Sequence, residues 1–163
     1  MLFSPAIVEI GFGSLAVLPY LKHGLDLFTY RKQPLEYPSG TFDGSLTVLL
    51  PVWNETVVIG HKLDNVRETC SDMEVHVVVI DSASTDDTVE QVRQWRKKND
   101  EAFSSFTLLE MEERKGKTTA VQKALQHINN KTPTDLVLMS DADALFEPTT
   151  VSRILGWFND PSI

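Results

Sequence analysis

Short apolar runs recur along the chain, each closing on polar or acidic residues, with helically spaced stretches between them. Leu46-Thr-Val-Leu-Leu50 leads into Pro51-Val-Trp-Asn-Glu55. Val75-His-Val-Val-Val-Ile80 stops at Asp81, and Phe106-Thr-Leu-Leu-Glu110 ends on a carboxylate. Leu136-Val-Leu-Met-Ser140 runs into Asp141-Ala-Asp143. Runs of this length read as strands. The fourth, bounded upstream by Thr132-Pro133-Thr134, reads as a strand buried on both faces. A helix is expected over 57–69, with Ile59, Leu63 and Val66 on its apolar face and Val58, Lys62 and Asn65 toward another side. The spacing Ser84-Thr-Asp-Asp87 suits a capping box opening the next helix, whose inward stripe is Val89, Val92 and Trp95. Ala120, Val121, Ala124, Leu125 and Ile128 mark a third apolar face. Pro148 suits the first turn of a last helix with Val151, Ile154, Leu155 and Phe158 inward. This alternation predicts an α/β fold, a mainly parallel sheet with flanking helices.

Residues 2–30 follow a different pattern, apolar with interruptions. From Pro5 to Leu21 is 17 residues, about 26 Å as a helix and the short limit for crossing a bilayer. Glu9 inside the stretch counts against a simple span. Ser4, Gly11, Ser14, Lys22, Asp26 and Thr29 gather on one side of a helical wheel, which suits an interfacial helix or one packed against others. A core helix of the following domain is the alternative. Lys22, Arg31 and Lys32 flank the segment, and the positive-inside tendency would place the downstream body in the cytoplasm. Residues 1–32 are therefore expected as an apolar, membrane-associated helical segment. Residues 33–45, with Pro34, Pro38, Gly40 and Gly44, read as a linker, and 46–163 as the α/β part.

Composition narrows the partners. The 163 residues carry a net charge of −8, and residues 33–163 hold 12 bases against 21 acids. A body this acidic repels nucleic-acid phosphates. Cys70 is the only cysteine, which excludes an intrachain disulfide and a cysteine-based metal site. His23, His61, His76 and His127 lack ligand spacing.

In open parallel sheets, ligands sit beyond the carboxyl ends of the strands. Here those ends carry Asn54 and Glu55, then Asp81, then Glu110, then Asp141 and Asp143. Arg114, Lys115 and Lys117 supply opposite charge from the loop after the third strand. Asp141 and Asp143, one alanine apart, can face one ligand. Paired carboxylates of this kind repel each other unless a cation or a hydrogen-bonding ligand joins them. Mg²⁺ and Mn²⁺ prefer such oxygens, often shared with a diphosphate. Carboxylates for a cation and ribose hydroxyls, with lysine for phosphates, together suit a nucleoside diphosphate. No Gly-x-x-x-x-Gly-Lys-Ser/Thr loop is present.

Leu50-Pro-Val-Trp-Asn-Glu55, Ile80-Asp-Ser-Ala-Ser-Thr-Asp-Asp-Thr88, Arg114-Lys-Gly-Lys117 and Ser140-Asp-Ala-Asp143 resemble, in order and spacing over about 46–155, the successive motifs of family 2 glycosyltransferases with the GT-A fold. The resemblance implies the Rossmann-like donor half of an inverting sugar transferase. It implies a UDP- or GDP-sugar donor and a glycan or lipid acceptor. By the same resemblance Pro51, Asn54 and Glu55 line the nucleoside pocket, Asp81 hydrogen-bonds the base, and Lys117 lies near base and diphosphate. Asp141 faces ribose and metal, and Asp143 ligates Mg²⁺ or Mn²⁺. Ser82 and Ala83 stand where family members commonly carry Asp or Asn followed by Gly. The family's general base lies well downstream of its Asp-x-Asp, so it is expected beyond residue 163, and these residues alone are expected to bind donor without transferring sugar. A nucleotidyltransferase, a nucleotide-sugar-binding module without catalysis, and a phosphoacceptor domain using Asp81 are the competing readings.

Overall fold

The computed structural model describes residues 5–30, 42–71 and 73–159, with side chains from 17 to 29 in the first helix. The chain divides into two units, Met1–Tyr37 and Pro38–Ile163.

The described residues of the first unit form the helix α1 (Pro5–Tyr30), with Pro19 inside it. Its described side chains from Val17 to Thr29 are all exposed, Leu21, Leu25 and Phe28 among them. Lys22 and Asp26 pair one turn apart at 3.5 Å. Among the described residues no helix is long and apolar enough to cross a membrane. Most of the expected linker, residues 33–41, lies outside the described residues.

The second unit alternates strand and helix: β1 (Leu46–Val52), α2 (Ile59–Thr69), β2 (Val75–Asp81), α3 (Thr88–Lys98), β3 (Ser105–Glu110), α4 (Lys117–Lys131), β4 (Leu136–Met139), α5 (Thr150–Gly156) and a short 3₁₀ turn, Trp157–Asn159. The four strands form one parallel sheet in the order β3-β2-β1-β4. Successive side chains of a strand leave opposite faces, and here both faces of β1 and β2 are covered. Leu46, Val48, Leu50 and Val52 pack with Ile59, Leu63 and Val66 of α2, Val92 and Trp95 of α3, and Val151 and Leu155 of α5. Leu49, Val78 and Ile80 pack on the other face with Ala120, Ala124 and Ile128 of α4. Each fully buried Leu, Ile or Val is worth roughly 1.5–3 kcal/mol of transfer free energy, so the two central strands hold the unit together.

The strand register brings the carboxyl ends level. Val52 pairs with Asp81, Asp81 with Glu110, and Leu49 with Met139. At the opposite edge Asp135 accepts from the Ser45 backbone N–H at 2.8 Å and its hydroxyl at 2.9 Å, tying β4 to β1.

Five expectations need correction. β4 is an edge strand, so Val137 and Met139 are exposed and the strand is not buried on both faces. The capping box does not form. Asp87 at the N-cap of α3 makes no side-chain cap bond, because Ser84 is bound to Asp81 and Asp86 accepts from the Thr88 N–H and hydroxyl. Pro148 sits in a turn ahead of α5, which starts at Thr150. Leu125, Ile154 and Phe158 are exposed rather than inward, with no packing layer over them among the described residues. Lys62, expected beside the apolar face of α2, is fully buried.

Candidate active site

A cavity of about 230 Å³ opens where the four carboxyl ends meet. The end of β1 contributes Pro51, Trp53 and Glu55, and the end of β2 contributes Ser82. The β3–α4 loop brings Arg114, Gly116 and Lys117, and the turn after β4 brings Asp141, Ala142 and Asp143.

The turn after β4 carries the charge. Asp141 and Asp143 are exposed on either side of buried Ala142, so both carboxylates reach the cavity while the residue between them anchors the turn. The Ser140 N–H continues the ladder to the Leu49 carbonyl at 3.1 Å. The Lys117 ammonium lies directly on Asp141. Glu55 faces the same group of acids. Its carboxyl pKa is raised, first by burial and then by the like charges of Asp143, Asp86 and Asp141. A perturbed carboxyl in a cleft marks a functional site more often than chance would.

The cation side of the cavity comes from the loop that opens α4. Gly116, at the helix N-cap, has φ +84° and ψ 163°, a conformation that a side chain would strain. No side chain caps this helix start, so the first-turn N–H groups and the Lys117 ammonium together favour an anion there. Arg114 stacks on the Trp53 indole, its guanidinium carbon 3.3 Å from the ring centroid. This cation–π pair forms one wall of the cavity.

Besides the residues they give to the cavity, the loops after β1 and β2 are stitched to each other. Asn54, at φ +57°, receives the Thr85 N–H on Oδ1 at 2.8 Å, and its own N–H donates to Ser84 Oγ at 2.9 Å. The Glu55 N–H donates to Thr88 Oγ1 at 2.7 Å. Asp81 is buried, with one carboxylate oxygen accepting the Ser84 N–H at 2.9 Å and the other its hydroxyl at 2.5 Å. The cavity wall at the end of β2 is therefore Ser82. Ser82 is 5% exposed, and its hydroxyl has no hydrogen-bond partner among the described residues. Ala83 beside it sits at φ +58°, in the left-handed region where a glycine would be unstrained.

Of the residues singled out from sequence, Pro51, Glu55, Arg114, Lys117, Asp141 and Asp143 share the cavity. Asn54 and Asp81 stand behind it. Glu110 is drawn away, its carboxylate 2.6 Å from Arg93, and Lys115 pairs with Glu113 at 2.5 Å. Sequence reasoning gave no role to Trp53, Ser82 or Lys62. A signal existed for Lys62: it lies three residues after Ile59 and four before Val66, in phase with the buried stripe.

Among the described residues no group of three or more His, Cys, Asp or Glu side chains is gathered as a metal cage. Two hard carboxylates beside a phosphate-sized cationic corner fit a different arrangement. Mg²⁺ and Mn²⁺ commonly take one or two carboxylates and complete their shell with substrate phosphates and water.

The model of glycosyl transferase family 2 matches residues 47–163. The chain belongs to this family. No curated protein matches the chain significantly. Among solved structures, the mannosyltransferase PcManGT from Pyrobaculum calidifontis, in complex with GDP-Man and Mn²⁺, superposes with a TM-score of 0.75 at 32% identity. The match covers 92% of this chain and 44% of that one. Glucosyl-3-phosphoglycerate synthase from Mycobacterium tuberculosis, with Mn²⁺, UDP and phosphoglyceric acid, gives 0.52 at 25% identity, covering 68% and 37%. S. aureus TarS 1-349 in complex with UDP gives 0.58 at 22% identity over 71% and 32%, a likeness of fold alone. The chain thus spans less than half the length of these structures. The α/β architecture, a four-stranded parallel sheet flanked by helices, is that of the GT-A Rossmann-like half.

Proposed function

We propose that residues 46–163 bind a nucleotide-sugar donor together with Mg²⁺ or Mn²⁺, as the donor-binding part of an inverting glycosyltransferase. The observation that carries this reading is the convergence of Asp141, Asp143 and Glu55 with Lys117 in one cavity at the carboxyl edge of a parallel sheet. Asp143 and Asp141 would hold the cation, which when bound offsets the charge developing on the departing diphosphate. Lys117 and the open start of α4 take the phosphate oxygens. The Trp53–Arg114 wall bounds the nucleoside, and the unpaired Ser82 hydroxyl meets a polar atom of it. Asp81 and Asn54 act by holding the two loops that shape this wall.

A GDP-sugar is placed ahead of a UDP-sugar, because the neighbour at 32% identity carries GDP-Man while UDP occurs in neighbours at 25% identity or below. Deprotonation of a glycan or lipid acceptor is assigned to a carboxylate base outside these residues. A second reading gives that role to Glu55, whose raised pKa suits a base. Titration calorimetry with GDP, UDP and ADP in Mn²⁺ tests the donor class, and ADP binding as tight as GDP and UDP would refute it. A radiolabelled transfer assay on the same sample separates the two readings of the base. Binding without transfer supports a base elsewhere, and transfer lost in Glu55→Gln supports Glu55.

The exposed apolar side chains of α1, with Lys22 beside them, support attachment of the first unit to a membrane surface, the catalytic part facing the cytoplasm.

A further inference from the structure

The turn that carries Asp141 and Asp143 is gripped from beneath by α2. Lys62 is fully buried, and its ammonium donates to Ser140 Oγ at 2.8 Å and to the Ala144 carbonyl at 2.5 Å. It also stands 3.7 Å from the centroid of the Phe146 ring. An ammonium has three donors and no acceptor. Two meet oxygens and the third faces a π system, so the donor capacity of Lys62 is used on this one turn. Three residues along the same helix, the Asn65 amide closes a two-bond clasp on the Phe146 backbone. Its Nδ2 donates to the carbonyl at 2.9 Å, and its Oδ1 accepts the N–H at 2.8 Å. Ser140, Ala144 and Phe146 are thereby fixed, and Asp141 and Asp143 lie between the fixed points.

α2 is itself anchored to the other side of the cavity. The Glu55 carbonyl accepts the Val58 N–H at 3.1 Å and the Ile59 N–H at 2.9 Å. The helix therefore relates the position of Glu55 to that of the two aspartates.

A buried ammonium is an expensive way to fill this space. Burial pulls the Lys62 pKa down to about 8, against the opposing attraction of Cys70, Asp141 and Asp143. An apolar residue of similar volume often serves packing as well or better. What an apolar residue cannot do is bridge the two ends of the turn while placing positive charge behind its carboxylates.

We propose that Lys62 and Asn65 are positioning residues for the diphosphate-metal turn, with the Lys62 ammonium setting the spacing of Asp141 and Asp143 from the protein side. This inference rests on the reading of those aspartates as the metal-holding pair. The test compares Lys62→Met and Lys62→Gln with the unaltered chain, using hydrogen–deuterium exchange and binding titrations. Amides 141–146 should exchange at least tenfold faster in Lys62→Met, while those of β1 and β2 stay unchanged. GDP affinity in Mn²⁺ should fall about tenfold, and guanosine affinity should stay within twofold. Lys62→Gln, which keeps a donor without the charge, should recover part of the exchange protection. Should Lys62→Met fail to fold, Lys62→Gln carries both readouts, with an intermediate loss expected. A folded variant with unchanged exchange at 141–146 overturns the proposal, and so does an equal loss of guanosine and GDP affinity. If the unaltered chain binds GDP without needing Mn²⁺, the metal reading of the aspartates fails. The exchange result then still decides whether Lys62 positions the turn.

Discussion

Replacing Ser82 with alanine should stabilise the empty protein and weaken its hold on the nucleotide. Ser82 lines the cavity, and its hydroxyl is buried without a partner among the described residues. A buried, unsatisfied polar group costs about 1–3 kcal/mol relative to one that is paired. Ser82→Ala removes the hydroxyl and leaves almost the same volume. For a domain of this size each kcal/mol moves Tm by roughly 2–4 °C, so thermal unfolding of Ser82→Ala should rise by at least about 2 °C. When donor binds, the hydroxyl regains a partner, and a neutral hydrogen bond contributes about 0.5–1.5 kcal/mol net. The alanine variant should then bind GDP or UDP about 2- to 10-fold more weakly. The assay pairs calorimetric unfolding without ligand with a nucleotide titration on the same preparation. The opposite signs are the test. A variant that loses stability would show that Ser82 supports the loop rather than the ligand, and unchanged affinity would remove it from the site.

Further outcomes follow from the same geometry. Mn²⁺ affinity should rise with pH through the elevated pKa of Glu55 and then level off, because a nearby cation favours the ionised carboxyl. A profile that fell over this range would contradict the crowding of Glu55 with Asp143. The sign for stability is the reverse. A carboxyl whose folded pKa lies above its ordinary 4.5 binds protons more tightly folded than unfolded. The metal-free protein should therefore lose stability as pH rises through that window, and Glu55→Gln should flatten the slope. Ala83→Gly should raise stability by up to about 1 kcal/mol by relieving the residue at φ +58°, read as a higher denaturation midpoint at constant slope. The chain should float with anionic liposomes while a version starting at Gln33 stays soluble; both remaining soluble would remove the membrane role of α1.

The strands were legible because β1 and β2 are buried on both faces, and such strands must be apolar along their length. Their alternation with helices then implied a parallel sheet and a site at the carboxyl edge. Sheet order was not legible, and it decided the errors. Leu136–Met139 is as apolar as a central strand but lies at an edge, so Val137 and Met139 are exposed. Leu125, Ile154 and Phe158 keep the helical period without a layer to receive them. In the site, the pairing of Asp141 with Asp143 could be read from spacing alone. The diversion of Glu110 to Arg93 and of Asp81 to Ser84 could not, because each depends on neighbours that only the folded loops supply. Lys62 was missed because a charge is expected at a surface, although its phase with Ile59 and Val66 placed it inside.

The central claim is that this cavity binds a nucleoside diphosphate through a cation held by Asp141 and Asp143. Titration calorimetry with GDP and UDP, in Mn²⁺ and again in excess chelator, tests it most directly, with Asp143→Asn and Asp81→Asn beside the unaltered chain. Without the cation the two aspartates face the diphosphate as uncompensated negative charge. The chelator should therefore weaken binding at least tenfold. Asp143→Asn should reproduce most of that loss in Mn²⁺, and Asp81→Asn should cost less metal-dependent affinity because its carboxylate is committed to the Ser84 loop. Equal affinity with and without the cation, or a larger metal-dependent loss in Asp81→Asn than in Asp143→Asn, would contradict the account.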